Sequence, residues 1–330
     1  MRISLKNIIT PSIPLAALLV IICCGLWLSA FFGARLALFP GQSNALIKGV
    51  QTVFVPNTLL SNLLSLIFTI LNAFLLAQIN NRFTIIRTRT FLPIVTFLTL
   101  ISTWNETHIV NGSHATLTLF ILALFYFFSM SRNRNASEQA FMGSFLISTS
   151  SILINPLIFL IPVCWIGFMM FQSFSLRTFL ASVFGTLAPW ILYLSARYLI
   201  NPDFDFLQAF AVIPTIDLSF SAFALQDLIY SALIMIIMII CLTGMYSLTH
   251  SDAIDTRNKL NFLVLLLISV SVLSFLYMNQ FVSFLPIIAM VYSLLISHPL
   301  TLKQNNFYGI IFLIFCFINI AYIISKYILT

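Results

Sequence analysis

The chain has 330 residues, of which 61% are hydrophobic and only 7% charged, with a mean hydropathy of +1.08. Soluble domains carry roughly a quarter charged residues, so this composition cannot cover a water-facing surface and excludes a soluble enzyme. The formal charge of +7 comes from 15 Lys and Arg against 8 Asp and Glu, scattered between apolar runs. That scatter is a topology signal and excludes a nucleic-acid partner.

Apolar runs between polar breaks predict spans near residues 12–33, 57–79, 90–103, 115–131, 140–155, 157–172, 178–198, 222–247, 260–278, 281–297 and 307–325. Backbone amides in hydrocarbon must be satisfied within a helix or a closed barrel, and these runs lack the in/out alternation of a barrel. The predicted fold class is all-α, a polytopic membrane helical bundle of about 9–11 transmembrane helices, with residues 1–330 in one integral membrane domain. The first run follows Arg2 and Lys6 like a signal peptide. It has no small-x-small cleavage pattern before Arg35, and so reads as an uncleaved span. Runs 90–103 and 140–155 are short, and only Asn155-Pro156 separates the second from its successor. A re-entrant or tilted arrangement stays open for them.

Lys and Arg in short loops are retained on the cytoplasmic side. With the N-terminus inside, that side receives Arg2, Lys6, Arg82, Arg87, Arg89, Arg132, Arg134, Arg177, Arg257, Lys259 and Lys303. The other side keeps Arg35, Lys48, Arg197 and Lys326, with the acids Glu106, Asp203, Asp205, Asp217 and Asp227. The expected location is therefore a bacterial cytoplasmic (inner) membrane, multi-pass, N-terminus cytoplasmic. Neither GxxxxGK[ST] nor GxGxxG occurs, which excludes an ATP-driven pump within one chain. Cys23, Cys24, Cys164, Cys241 and Cys316 all fall inside spans, without a CxxC pair, and read as small buried hydrophobes. No cofactor and no metal site is expected.

Chemistry concentrates at the outer face. Trp104-Asn105-Glu106-Thr107-His108, with Asn111 and His114, is its densest polar cluster. Glu106 is the candidate general base there and His108 a candidate substrate contact, because carboxylate and imidazole both exchange protons or accept hydrogen bonds near neutrality. The competing reading is a hydrated turn between helices. Asp203, in Asn201-Pro202-Asp203-Phe204-Asp205, is the second catalytic candidate, set against an ordinary solvated loop. Arg35 and Arg197 oppose the charge bias at span ends and could clamp a phosphate or carboxylate, although snorkelling to lipid headgroups explains each as well. Asp227 stands at the start of the eighth span, either as a binding acid or as a first-turn acid favoured by the helix dipole.

The stretch from Arg132 to about Arg197 has a recurring cadence. Ser137-Glu138-Gln139-Ala140-Phe141 leads into a small-residue-rich span, then Trp165-Ile166-Gly167, Ser173-Phe174-Ser175-Leu176-Arg177, and Gly185-Thr186-Leu187-Ala188-Pro189-Trp190. With Leu71-Asn72-Ala73-Phe74-Leu75-Leu76 and Ile86-Arg87-Thr88-Arg89-Thr90-Phe91-Leu92-Pro93, this resembles a family of Bacteroidetes polytopic inner-membrane proteins of uncharacterised activity. It is more distantly similar to membrane glycosyltransferases that use polyprenyl-phosphate sugars. The second resemblance implies a lipid-linked phosphate or glycan substrate at the outer face. Those enzymes place a catalytic acid in the first outer loop, and residues 34–56 contain no Asp or Glu, which moves that role to Glu106 or Asp203. The leading expectation is a cell-envelope role of this kind, with the bilayer and other membrane proteins as partners. A permease and a non-catalytic membrane subunit or assembly factor are the alternatives.

Overall fold

The structure, a computed structural model, describes residues 58–88, 90–200, 224–303 and 305–329, with Ile21, Ile22, Cys24, Gly25, Trp27 and Ile216 besides. Arg35, Lys48, Asp203, Asp205, Asp217, Cys23 and most of the expected first span lie outside the described residues.

Ten α-helices follow one another in the described residues. They are α1 (Thr58–Phe83), α2 (Leu92–Ser102), α3 (Gly112–Ser129), α4 (Ser137–Leu153), α5 (Ile161–Met170), α6 (Leu176–Ile200), α7 (Leu225–Leu248), α8 (Ile254–Leu276), α9 (Phe281–Leu302) and α10 (Asn306–Leu329). Seven of the described segments are long and apolar enough to cross a bilayer: α1, α3, α6, α7, α8, α10 and α9 with its preceding turn. The chain is thus an all-α polytopic membrane protein, with its apolar side chains turned to lipid.

Polar contacts assign the loops to two ends of the bundle. At one end, Arg87 pairs with Asp252 at 2.6 Å, and His298 approaches the same carboxylate at 3.4 Å. Ser131 donates to Asp255, the Arg132 amide donates to the Phe171 carbonyl at 2.9 Å, and Ser175 Oγ donates to the Arg134 carbonyl at 3.2 Å. At the other end, Lys326 meets both Glu106 and Asp227. Every described helix therefore runs opposite to the one before it. Among described residues, the first end carries Arg82, Arg87, Arg132, Arg134, Arg177, Arg257, Lys259 and Lys303, and the second carries Arg197 and Lys326.

The two short runs form helices packed inside the bundle, shorter than the seven candidate spans. Helix α2 has 11 residues, beginning behind Pro93 in its first turn. Thr96 lies 3.5 Å from Ser297 near one end of α9, and the Trp104 ring lies 5.8 Å from Phe281 at the other. The helix and its exit thus pack along α9, with contacts near both of its ends. Asn155-Pro156 opens a 3-10 turn, Asn155–Leu160, that feeds α5, so residues 137–153 and 155–170 form a hairpin returning to the first end.

Burial grades outward from α9, whose span is 78% buried, to α6, at 22%. Helix α1 shows how this is encoded: Ser61, Ser65, Thr69 and Asn72 recur at helical spacing and face inward, while Leu59, Leu63, Ile67, Leu71 and Phe74 face lipid. The bilayer is as apolar as leucine, so small and polar side chains carry the packing. Helices α4 and α6 meet through Ser144 and Ser182, which share a hydrogen bond of 2.9 Å, and Trp165 Nε1 donates to the same Ser182 oxygen at 2.9 Å. Trp190 Nε1 donates to Ser151 at 3.1 Å, and Gly185 lies against the Phe141 backbone.

Candidate acid-aromatic site at one end of a membrane cavity

The turn between α2 and α3 is built by its own hydroxyls. Thr103 Oγ1 donates to the Leu100 carbonyl at 2.7 Å, closing α2. Thr107 Oγ1 lies 2.7 Å from both the Ile101 and Trp104 carbonyls, winding Asn105–His108 into a 3-10 turn. Asn111 caps α3 by accepting the Ser113 amide at 3.0 Å. Helix α1 holds the turn from outside, since Ser65 Oγ donates to the Thr107 carbonyl at 2.8 Å and Ser61 Oγ accepts the Val110 amide at 3.0 Å.

This scaffold presents Trp104 and Glu106 to α7 and α10. Asp227 is an acid in the first turn of α7, and its Oδ2 accepts the Ala224 amide at 3.3 Å, as a third-position carboxylate does when it caps its own helix. Its Oδ1 accepts the Tyr322 hydroxyl at 2.7 Å and lies 3.4 Å from Lys326 Nζ. The same ammonium lies 3.4 Å from Glu106 Oε1 and over two rings, 5.3 Å from Trp104 and 5.5 Å from Tyr322. Tyr230 stacks on Tyr322 at 4.1 Å, donates to Asn319 Oδ1 at 2.9 Å and touches Thr103 Oγ1 at 3.1 Å. Glu106 Oε2 is shielded from solvent and accepts no hydrogen bond from the described residues.

A cavity of about 300 Å³ opens beneath this cluster, between α2, α7, α8 and α9. Asp227, Trp104 and Thr107 form its polar end; Met238, Leu267, Leu285 and Tyr292 are among the residues of its wall. Met235 on α7 and Phe275 on α8 stand at its rim, exposed by 59% and 51%. Both sit on the lipid-facing perimeter of spanning helices, so the cavity opens sideways toward the bilayer.

The expected candidates therefore separate. Glu106 and Asp227, 121 residues apart in sequence, are brought together by Lys326. His108 is 2% exposed and packs on Trp27 with ring centroids 4.0 Å apart, in a position between helices instead of at the cavity. Arg197 sits in the last turn of α6, the helix packed along α4, away from the helices lining the cavity. Arg35 and Asp203 are outside the described residues. His114 is turned to Ser65, with Nε2 to Oγ at 3.1 Å, and no three His, Cys, Asp or Glu side chains among the described residues are grouped to hold a metal ion. Lys326, Tyr322, Tyr230 and Asn319 were not anticipated. Lys326 did carry a signal, being a cation against the charge bias in the last turn of a span, as Arg197 is.

Burial pushes the His108 imidazole down to about 4, assisted by the charge of nearby His114 and opposed by a bond to the Ser102 backbone. A base depressed below its unfolded value of 6.5 leaves the unfolded chain binding more protons between those two limits. Stability is thus full above about pH 6.5 and falls as pH drops toward 4. We expect acidification over that window to remove up to about 3 kcal/mol in detergent-solubilised protein, and His108→Gln to flatten this part of the profile. Thermal midpoints measured every half pH unit test this, and equal slopes in both proteins would refute it.

No known protein family, curated protein or solved structure matches this chain.

Proposed function

We propose that the protein works in the cell envelope from a bacterial inner membrane, taking a lipid-linked or glycan-bearing amphiphile at the face that carries Glu106. The observation behind this reading is the cavity itself, which opens to lipid along its side and ends at an acid-aromatic cluster. An apolar chain fits the walls of Met238, Leu267 and Leu285, and a polar head reaches Asp227 and Glu106. Aromatic faces beside carboxylates suit a head rich in hydrogen-bond donors, and Glu106, with one oxygen unengaged, is the candidate base. The concentration of Arg and Lys at the opposite end supports a cytoplasmic location for that end, an outward-facing cluster and a cytoplasmic N-terminus. The likeness of the 132–197 stretch to polyprenyl-phosphate-sugar glycosyltransferases points in the same direction.

The test is a deletion strain complemented with wild type, Glu106→Gln, Asp227→Asn or Ser271→Phe at equal abundance, followed by profiling of lipid-linked and surface glycans. Ser271 lines the cavity, so its replacement by Phe fills the space without touching the acids. All three variants are expected to lose most of the complementing activity, a drop on the order of a hundredfold for a group acting in the chemical step. Full complementation by all three would end this reading and favour a non-catalytic subunit.

A further inference from the structure

Lys326 stands at long range from both of its acids. Its ammonium is 3.4 Å from each of its two carboxylate oxygens, well beyond the usual charge-assisted bond of about 2.8 Å. It belongs to the last turn of α10, where a lysine stem can swing its head to the membrane surface. What it occupies is a cage for a cation: two carboxylates, and the faces of Trp104 and Tyr322 at 5.3 and 5.5 Å.

The cage is also short of positive charge. Among the described residues, Glu106, Asp227 and Lys326 sum formally to −1, and the shielded Glu106 Oε2 accepts no hydrogen bond. A buried acceptor without a donor is costly, and a donor arriving with a ligand removes that cost. An incoming phosphate meets two carboxylates instead. Asp227 lines the cavity directly, so a head seated in the cage is continuous with an apolar chain lying between α7 and α8.

We infer that the cage and the cavity together take a cationic amphiphile, whose ammonium head displaces Lys326 from Glu106 and Asp227 while its hydrocarbon part fills the cavity. This rests on the reading above that the cavity holds the chain of an amphiphile, and adds the charge of the head. Lys326 is then an internal competitor that neutralises the acids until the ligand arrives, and leaves toward the surface when it does.

The experiment uses the full chain in neutral maltoside micelles, titrated with radiolabelled tetradecylammonium, whose head carries N–H donors, or tetradecyl phosphate. The cation is expected to bind saturably and about tenfold or more tighter than the phosphate. Glu106→Gln should erase most of that preference, and Lys326→Gln should tighten the cation by about tenfold because the competitor is gone. Ser271→Phe should weaken both probes together. Phosphate binding as tight as the cation, or a preference unmoved by Glu106→Gln, overturns the cationic head and leaves the cavity reading standing. Absence of saturable binding by either probe overturns both.

Discussion

Gly185→Val is expected to lower the yield of monodisperse protein sharply and to cost about 3 kcal/mol or more of stability, the largest effect of any single glycine replacement in the described bundle. A Cβ at this position would stand 2.4 Å from the Phe141 carbonyl oxygen and 3.1 Å from its carbon. Both atoms are backbone, so no rotamer change relieves the clash and α4 and α6 must separate. Separation stretches the Ser144–Ser182 bond and the Trp165 and Trp190 indole bonds along the same seam. Dispersion and these hydrogen bonds are all that attract two helices in lipid, where the hydrophobic effect between them is absent. Gly244 is the control. Its Cβ would meet the hydroxyl of Tyr308 at 2.3 Å, the far end of a side chain beside the first end of the bundle, so Gly244→Ala should stay near wild type. Thermal transitions in detergent decide the matter: Gly185→Ala should fall between wild type and Gly185→Val, and a Gly185→Val protein as stable as wild type would show that the helices are not in backbone contact.

Lys326→Met is expected to destabilise by about 3 kcal/mol, the lower end for breaking a buried ion pair, since Glu106 keeps 24% of its side-chain surface. Removing the ammonium leaves Glu106 and Asp227 facing each other with the Tyr322 hydroxyl and the Ala224 amide as their described donors. The cost lies in the unpaired acids more than in the lost contact. Asp227→Asn added to Lys326→Met should therefore recover more than half of the loss, although each change alone destabilises. A double-mutant cycle on thermal midpoints reads this coupling directly, and additive losses would mean that the three charges do not share a site.

Helix positions were legible because the bilayer makes each span a long apolar run; ten of the eleven expected spans coincide with the described helices α1 to α10. Even the short runs at 90–103 and 140–155 coincide with helices, while the way each is joined to its neighbours was not legible. That depended on Pro93 starting α2 and on Asn155-Pro156 turning the chain in a 3-10 turn, local geometry that hydropathy does not register. The site was half legible. Glu106 and Asp227 stood out as acids near the membrane surface, where charge is expensive. Their common partner lay on α10, 220 residues from Glu106, and one chain without its contacts says nothing about which helices are neighbours. The surroundings of His108 were hidden for a related reason: a histidine in a polar turn reads as accessible, and only the structure shows Trp27 packed on its ring. The buried serines of α1 and α4 lie at helical spacing that marks the packed faces, a pattern that hydropathy does not register.

The position of α10 also bears on how the protein is made. Helices leave the ribosome in order, and α10 is synthesised after the nine described helices that precede it. Until it docks, Glu106 and Asp227 sit at the membrane surface without their ammonium, and Tyr230 without Asn319. The arrival of one helix then satisfies three polar groups together and covers one flank of α9. Docking of α10 is in this way chemically marked: a nascent chain stalled before α10 displays unneutralised acids at the lipid boundary, a difference that membrane quality-control proteases can act upon before any ligand is involved.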